Sequence, residues 1–180
     1  MAFHHVALAT RDLEATHGFY TGAMGFSLVK VVAAPTPEGG WARHVFYDTG
    51  NGEMIAFWDL HVDSLSGFPT DLNKSLGLPA WVNHLAFDAP DLETLAACRR
   101  RWLDHDLTVM EVDHGFCTSV YTIDPNGIMV EFCCTTRDFT ADELAWATAN
   151  VLAPTPELER PPDAVVHRPG RAPAAVAAPA

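Results

Sequence analysis

Nine histidines in 180 residues are a surplus, and two of them recur in a pattern that chemistry can use. His5 opens the run His5-Val-Ala-Leu-Ala-Thr-Arg-Asp-Leu-Glu14. His84 opens His84-Leu-Ala-Phe-Asp-Ala-Pro-Asp-Leu-Glu93, at an offset of 79. A second match, Asn51-Gly-Glu-Met-Ile-Ala-Phe57 with Asn126-Gly-Ile-Met-Val-Glu-Phe132, has an offset of 75 and sets Glu131 opposite Ala56. Two neutral imidazoles and one carboxylate on one side of an ion leave its other positions open, which suits Fe(II) or Mn(II). A single strand histidine is more often structural than a ligand, and His4, His17, His61, His105 and His167 are read that way. Recurrence at equivalent positions sets His5 and His84 apart.

The elements that must position these residues follow from the repeat. Each copy begins with a short alternating run, Phe3 to Ala9 and Val82 to Asp88. Each then enters a helix whose first turn carries acids, Asp12 and Glu14 or Asp91 and Glu93, suited to the positive end of the helix dipole. Three strand-like runs follow: 26–33, 41–47 and 53–58 in the first copy, and 107–113, 118–123 and 128–133 in the second. Asp124-Pro-Asn-Gly127 is a turn before the last run. The pattern predicts an α+β fold of two βαβββ modules, forming a side-by-side curved mixed sheet around a metal site. The modules span 1–60 and 81–135, joined by a connection over 61–80. Alternation puts His5 and His84 on the strand faces away from the helices, with Glu131 likewise opposite Val130 and Phe132. By the same offset His44 and Phe46 correspond to Ser119 and Tyr121. His44 therefore faces the site if Tyr121 does, though an edge-strand histidine is an equal reading. Ala56 and Trp58 are then walls for a substrate.

Composition bounds the rest. The formal net charge is −12, which argues against sequence-independent nucleic-acid binding and against attachment to anionic membranes. No apolar run is long enough to span a bilayer and no secretory signal is visible, so the chain is expected to be cytoplasmic. Cys98, Cys117, Cys133 and Cys134 show no CxxC spacing and read as reduced, buried thiols. Thr140-Ala-Asp-Glu143 is a capping-box pattern that opens a helix over 136–152, with Leu144, Thr148 and Val151 expected to dock on the body. Residues 153–180 hold seven of the thirteen prolines and no Phe, Trp, Tyr or Ile, and are read as a disordered or extended tail.

Residues 3–135 resemble a pair of modules of the vicinal oxygen chelate superfamily (glyoxalases, bleomycin-binding proteins, fosfomycin-resistance enzymes and dioxygenases). The segment Phe19-Tyr-Thr-Gly-Ala-Met-Gly-Phe26 matches the family's usual end of its first helix. The family's ligand positions, on the first and last strands of its modules, fall on His5, His84 and Glu131. Within it, Val112-Asp-His114 through Tyr121 and Asp124-Pro125-Asn-Gly127 to Glu131 is similar to the signature of type I extradiol ring-cleavage dioxygenases. That resemblance implies that Tyr121 bonds a metal-held substrate oxygen and that His114 is an acid/base. It also implies an active-site histidine between the metal pair, for which His44 is the best match. The plainer alternatives are a core-filling strand aromatic and a loop histidine.

The expectation is an Fe(II)-dependent enzyme that opens a small aromatic diol with O2, working as a homodimer. The alternatives are a Mn(II)-dependent fosfomycin-type thiol transferase or hydrolase, a glyoxalase or epimerase, and a metal-free drug-binding protein. Ala56 in place of a fourth ligand speaks against the glyoxalase.

Overall fold

The computed structural model of the chain describes residues 3–176. The first βαβββ module is β1 (His5–Thr10), α1 (Leu13–Gly18) running into a π-helical turn, β2 (Ser27–Pro35), β3 (Trp41–Gly50) and β4 (Glu53–His61). After α2 (Leu72–Ser75) the pattern repeats as β5 (His84–Asp88), α3 (Leu92–Asp104), β6 (Val109–Asp113), β7 (Cys117–Ile123) and β8 (Met129–Thr135). The chain then adds α4 (Ala141–Asn150), β9 (Ala164–His167) and β10 (Ala174–Val176). One sheet has the order β1-β4-β3-β2 and the other β10-β9-β6-β7-β8-β5. The fold is α+β, with two βαβββ-like mixed-sheet modules, as the repeat predicts.

Two compact units divide the chain: Met1–Phe87 with Thr122–Val130, and Asp88–Tyr121 with Glu131–Ala180. The acids at the helix starts act as caps. Asp12 accepts from the Ala15 N–H at 2.9 Å, and Asp91 accepts from the Thr94 N–H at 2.7 Å. The first unit packs Tyr20 against Phe57 and Tyr47, with ring centroids 4.7 and 5.9 Å apart. Burial there pushes the Tyr47 phenol up to about 12. The second unit buries Trp102 of α3 completely, its ring 5.2 Å from that of Phe132.

The Asp124-Pro-Asn-Gly127 turn does more than reverse the chain. Asp124 is buried and accepts from the backbone N–H groups of Asn126 and Ile128, both at 2.8 Å. It also accepts from the Asn126 amide at 3.1 Å and from the Tyr20 hydroxyl at 3.0 Å. The turn is thereby tied to the first module's helical segment. Gly127 has φ +83°, and a Cβ there would lie 2.7 Å from the Asp71 Cβ, so both conformation and space require glycine.

Two features beyond residue 135 differ from expectation. The capping box forms, with the Glu143 N–H donating to the Thr140 hydroxyl at 3.2 Å and the Thr140 N–H to the Glu143 carboxylate at 2.7 Å. Yet no residue of α4 is buried, and Leu144 and Val151 are 58 % and 76 % exposed rather than docked. A Thr and several alanines make too narrow an apolar stripe, so local bonds hold this helix instead. The segment 153–180 contains β9 and β10; its residues 177–180 lie outside those described. Val165 and Val166 pair along the open edge of β6, and His167 reaches Glu111 at 2.7 Å. Counting aromatics overlooks a four-residue strand whose backbone is satisfied by an existing edge.

The cap carries a prediction. Arg137 bonds both Glu143 oxygens, at 2.9 and 2.7 Å, and holds that carboxyl down at about 2. A depressed acid stabilises the folded form above its ordinary value of 4.5, and the contribution disappears as pH falls toward 2. The protection of the α4 amides, corrected for the pH dependence of intrinsic exchange, should therefore hold steady down to pH 5 and fall below it. Thr140→Ala should weaken the helix by about 1 kcal/mol at neutral pH. Unchanged α4 exchange in that variant would contradict the assignment.

Candidate functional site

In the first sheet the two faces separate cleanly. Leu28, Val31, Val45 and Tyr47 line a cavity of about 220 Å³ together with Leu13 and His17 of α1. The alternate residues consequently face away from the helix. The strand registers Ala7 to Ala56, Phe46 to Ala56, His44 to Trp58 and Lys30 to Phe46 put His5, Ala56, Trp58, His44, Phe46 and Lys30 on this other face. His44 stacks on Trp58 with centroids 3.8 Å apart and an angle of 12°, and lies 4.1 Å from Phe46. The His5 ring is 5.4 Å from Phe46 and 6.0 Å from His44. Ala56 is fully buried between these strands, and its small size lets the rings meet across it. His44 Nε2 is buried with no hydrogen-bond partner among the described residues. Burial first, then nearby His5, lowers the His44 pKa, which favours the neutral imidazole.

The second unit holds a different set. Thr118 and Val120 line a cavity of about 390 Å³ with Leu92, Leu95 and Ala96 of α3, so Cys117, Ser119 and Tyr121 point the other way. Tyr121 contacts Glu131 and Ser119 there. A tight turn returns His114 toward the strand: its N–H donates to the Cys117 carbonyl at 2.9 Å, and the Gly115 N–H donates to Asp113 at 2.8 Å. His114 Nε2 then lies 3.0 Å from the Tyr121 hydroxyl. Burial, and secondly the Glu131 carboxylate, raise the Tyr121 pKa well above its ordinary value, so the phenol keeps its proton. A phenol has one proton to donate. With Glu131 accepting it, the His114 bond runs from Nε2–H to the phenol oxygen. Burial and Cys133 push the Cys117 thiol up to about 11, so it is not a ready thiolate.

The expected metal ligands are placed strand by strand. His5 and His84 are exposed at the starts of β1 and β5, and Glu131 is 5 % exposed on β8. Among the described residues, no three or more His, Cys, Asp or Glu side chains are gathered as a metal-holding group. The donor chemistry nevertheless fits a divalent ion. His84 Nδ1 is 2.9 Å from the Trp81 carbonyl, an acceptor, so Nδ1 carries the proton and Nε2 the lone pair when the ring is neutral. His5 Nδ1 is 2.7 Å from His4 Nδ1, which fixes that ring from the side. Of the remaining histidines, His17 pairs with Tyr47 at 3.1 Å, His61 with Asp59 at 2.9 Å and His167 with Glu111 at 2.7 Å. Residue type alone does not mark Ser119 or the ring contacts of Phe46; their alternation with Tyr121 and His44 carries the signal.

The chain belongs to the Glyoxalase/Bleomycin resistance protein/Dioxygenase superfamily, whose family model matches residues 2–132. Among solved structures, a glyoxylase/bleomycin resistance protein/dioxygenase domain from Frankia sp. EAN1pec has TM-score 0.58 and 18% identity, covering 75% of this chain and 98% of that one. The fosfomycin resistance protein FosX from Listeria monocytogenes has TM-score 0.52 and 16% identity, covering 79% and 97%. TnmS3, an antibiotic binding protein from Streptomyces sp. CB03234, has TM-score 0.53 and 16% identity, covering 76% and 97%. At these identities the likeness is one of fold. Among curated proteins none matches the chain. No helix among the described residues is long and apolar enough to cross a membrane.

Proposed function

We propose that this protein is an Fe(II)-dependent extradiol dioxygenase that opens a catechol-type ring with O2. The observation that supports it most is the chain from His114 Nε2 through the Tyr121 hydroxyl to Glu131. Here a histidine returned by a turn meets a phenol on β7 that contacts a carboxylate on β8. His5, His84 and Glu131 are the residues proposed to hold the ion. When bound, the ion supplies a Lewis-acidic, redox-active centre with open positions for small oxygen ligands.

The protein's own groups handle the protons and the ring. Once Glu131 holds the ion it would release the Tyr121 hydroxyl, whose proton then turns to an oxygen of the diol, while the His114 Nε2–H stays on the phenol oxygen and supplies the replacement proton. His44 is held neutral and presents a buried nitrogen without a partner among the described residues, so it suits removal of a hydroxyl proton from the diol. Trp58 and Phe46 form an aromatic wall beside it, which favours a planar ring.

The test is anaerobic reconstitution with Fe(II), followed by a panel of catechols monitored for yellow ring-opened product and for oxygen uptake. One iron per chain and one O2 consumed per ring opened are expected. No turnover of any catechol would overturn the proposal. Activity with Mn(II) on a thiol and an epoxide would establish the fosfomycin-type alternative instead.

A further inference from the structure

The aromatic-walled face of the first sheet carries one formal cation, and we infer that Lys30 selects substrates with a carboxylate on a short arm. This rests on the ring-binding role given to that face above. Lys30 is registered directly opposite Phe46, and Val32 opposite His44. A bulge between Leu28 and Lys30 shifts the strand. Leu28 and Val31 thus remain over α1 while Lys30 and Val32 share the ring-lined face. Lys30 is exposed, and no carboxylate bonds it among the described residues.

The charges around it make that position informative. The strands of this sheet place His5, His44, Trp58, Phe46 and Ala56 on the same face, none of them an acid. The acid on that face is Asp48, two residues along β3 from Phe46. Its Oδ1 accepts the Gly50 N–H at 2.9 Å within the β3–β4 turn. Lys30 is thus the cation on this face, in register with Phe46 and without a carboxylate bond among the described residues. Neighbouring strands lie about 4.8 Å apart. A ring resting against Phe46 and Trp58 would therefore need an arm of roughly two or three carbons to bring a carboxylate to the Lys30 Nζ on β2. The substrate class is a catecholic acid rather than a neutral catechol. An edge lysine also discourages strand pairing; that role needs only a charge and predicts no discrimination between ligands.

The test does not require turnover. The metal-free protein is titrated with 3-phenylpropionate and with its neutral amide, following tryptophan fluorescence, to which Trp58 contributes. An exposed ammonium–carboxylate pair sets the scale, so the acid should bind about fivefold more tightly than the amide at low salt. That preference should shrink as salt rises. Lys30→Met should abolish the preference and Lys30→Arg should keep it. Equal binding of acid and amide by the wild type, or a preference that survives in Lys30→Met, would overturn the inference. With iron restored, the same ranking is expected in KM across acid and neutral catechols. If the acid preference is found but no catechol is cleaved, the reaction assignment fails and the role of Lys30 stands. Catechol cleavage with no acid preference gives the reverse.

Discussion

Asp124→Ala is expected to destabilise the protein by about 3–5 kcal/mol, a large part of the total for a domain of this size. The carboxylate receives four hydrogen bonds, from two backbone N–H groups, the Asn126 amide and the Tyr20 hydroxyl. Tyr20, Asn126 and Ile128 are themselves buried, so water cannot take over as the acceptor. Each donor left unsatisfied costs about 1–3 kcal/mol, and relaxation of the turn recovers part of that. Asp124→Asn keeps one carbonyl oxygen for the backbone donors but turns an amide N–H₂ toward Tyr20, so an intermediate loss is expected. Urea unfolding of the two variants, with Tyr20→Phe as a third, measures the ordering. A loss under 1 kcal/mol for Asp124→Ala would show that the hub does not hold the turn.

Glu131→Gln should have the largest effect on function and an opposite or small effect on the fold. A buried carboxylate is costly in the metal-free protein, and the amide keeps an acceptor for the Tyr121 hydroxyl. The metal-free variant should melt no lower than the wild type. Fe(II) at 100 times its dissociation constant should stabilise the wild type by about 2.7 kcal/mol. The variant should gain little of that and lose ring-opening activity. A variant that still takes up one iron with wild-type affinity would remove Glu131 from the ligand set.

The repeat made most of the fold legible. The two offsets predict βαβββ twice, and the observed strands begin within one or two residues of those expected for β2, β3, β4, β6, β7 and β8. Period-2 alternation also sorts Phe132 from Glu131, because a strand residue's face depends only on parity. Alternation could not show that His114 bonds Tyr121. That contact depends on a turn in which the His114 N–H meets the Cys117 carbonyl, and a period-2 pattern carries no information about a reversal. Nor could composition anticipate β9. The pairing of Val165 and Val166 is supplied by the β6 edge, a long-range partner that local residue types do not encode. The unburied α4 makes the same point in reverse, since a capping box specifies where a helix starts but not whether anything covers it.

The asymmetry between Ala56 and Glu131 has a consequence for how substitutions divide between the two copies. Equivalent strand positions hold a small spacer in one copy and an acid in the other, so the ring-lined wall sits on the first copy and the His114–Tyr121–Glu131 chain on the second. Substitutions at Lys30, Val32, Phe46 or Trp58 would alter the proposed ligand face while leaving His114, Tyr121 and Glu131 in place. The repeat thus separates two surfaces, since Lys30, Val32, Phe46 and Trp58 of the first copy lie outside the hydrogen-bonded chain of the second.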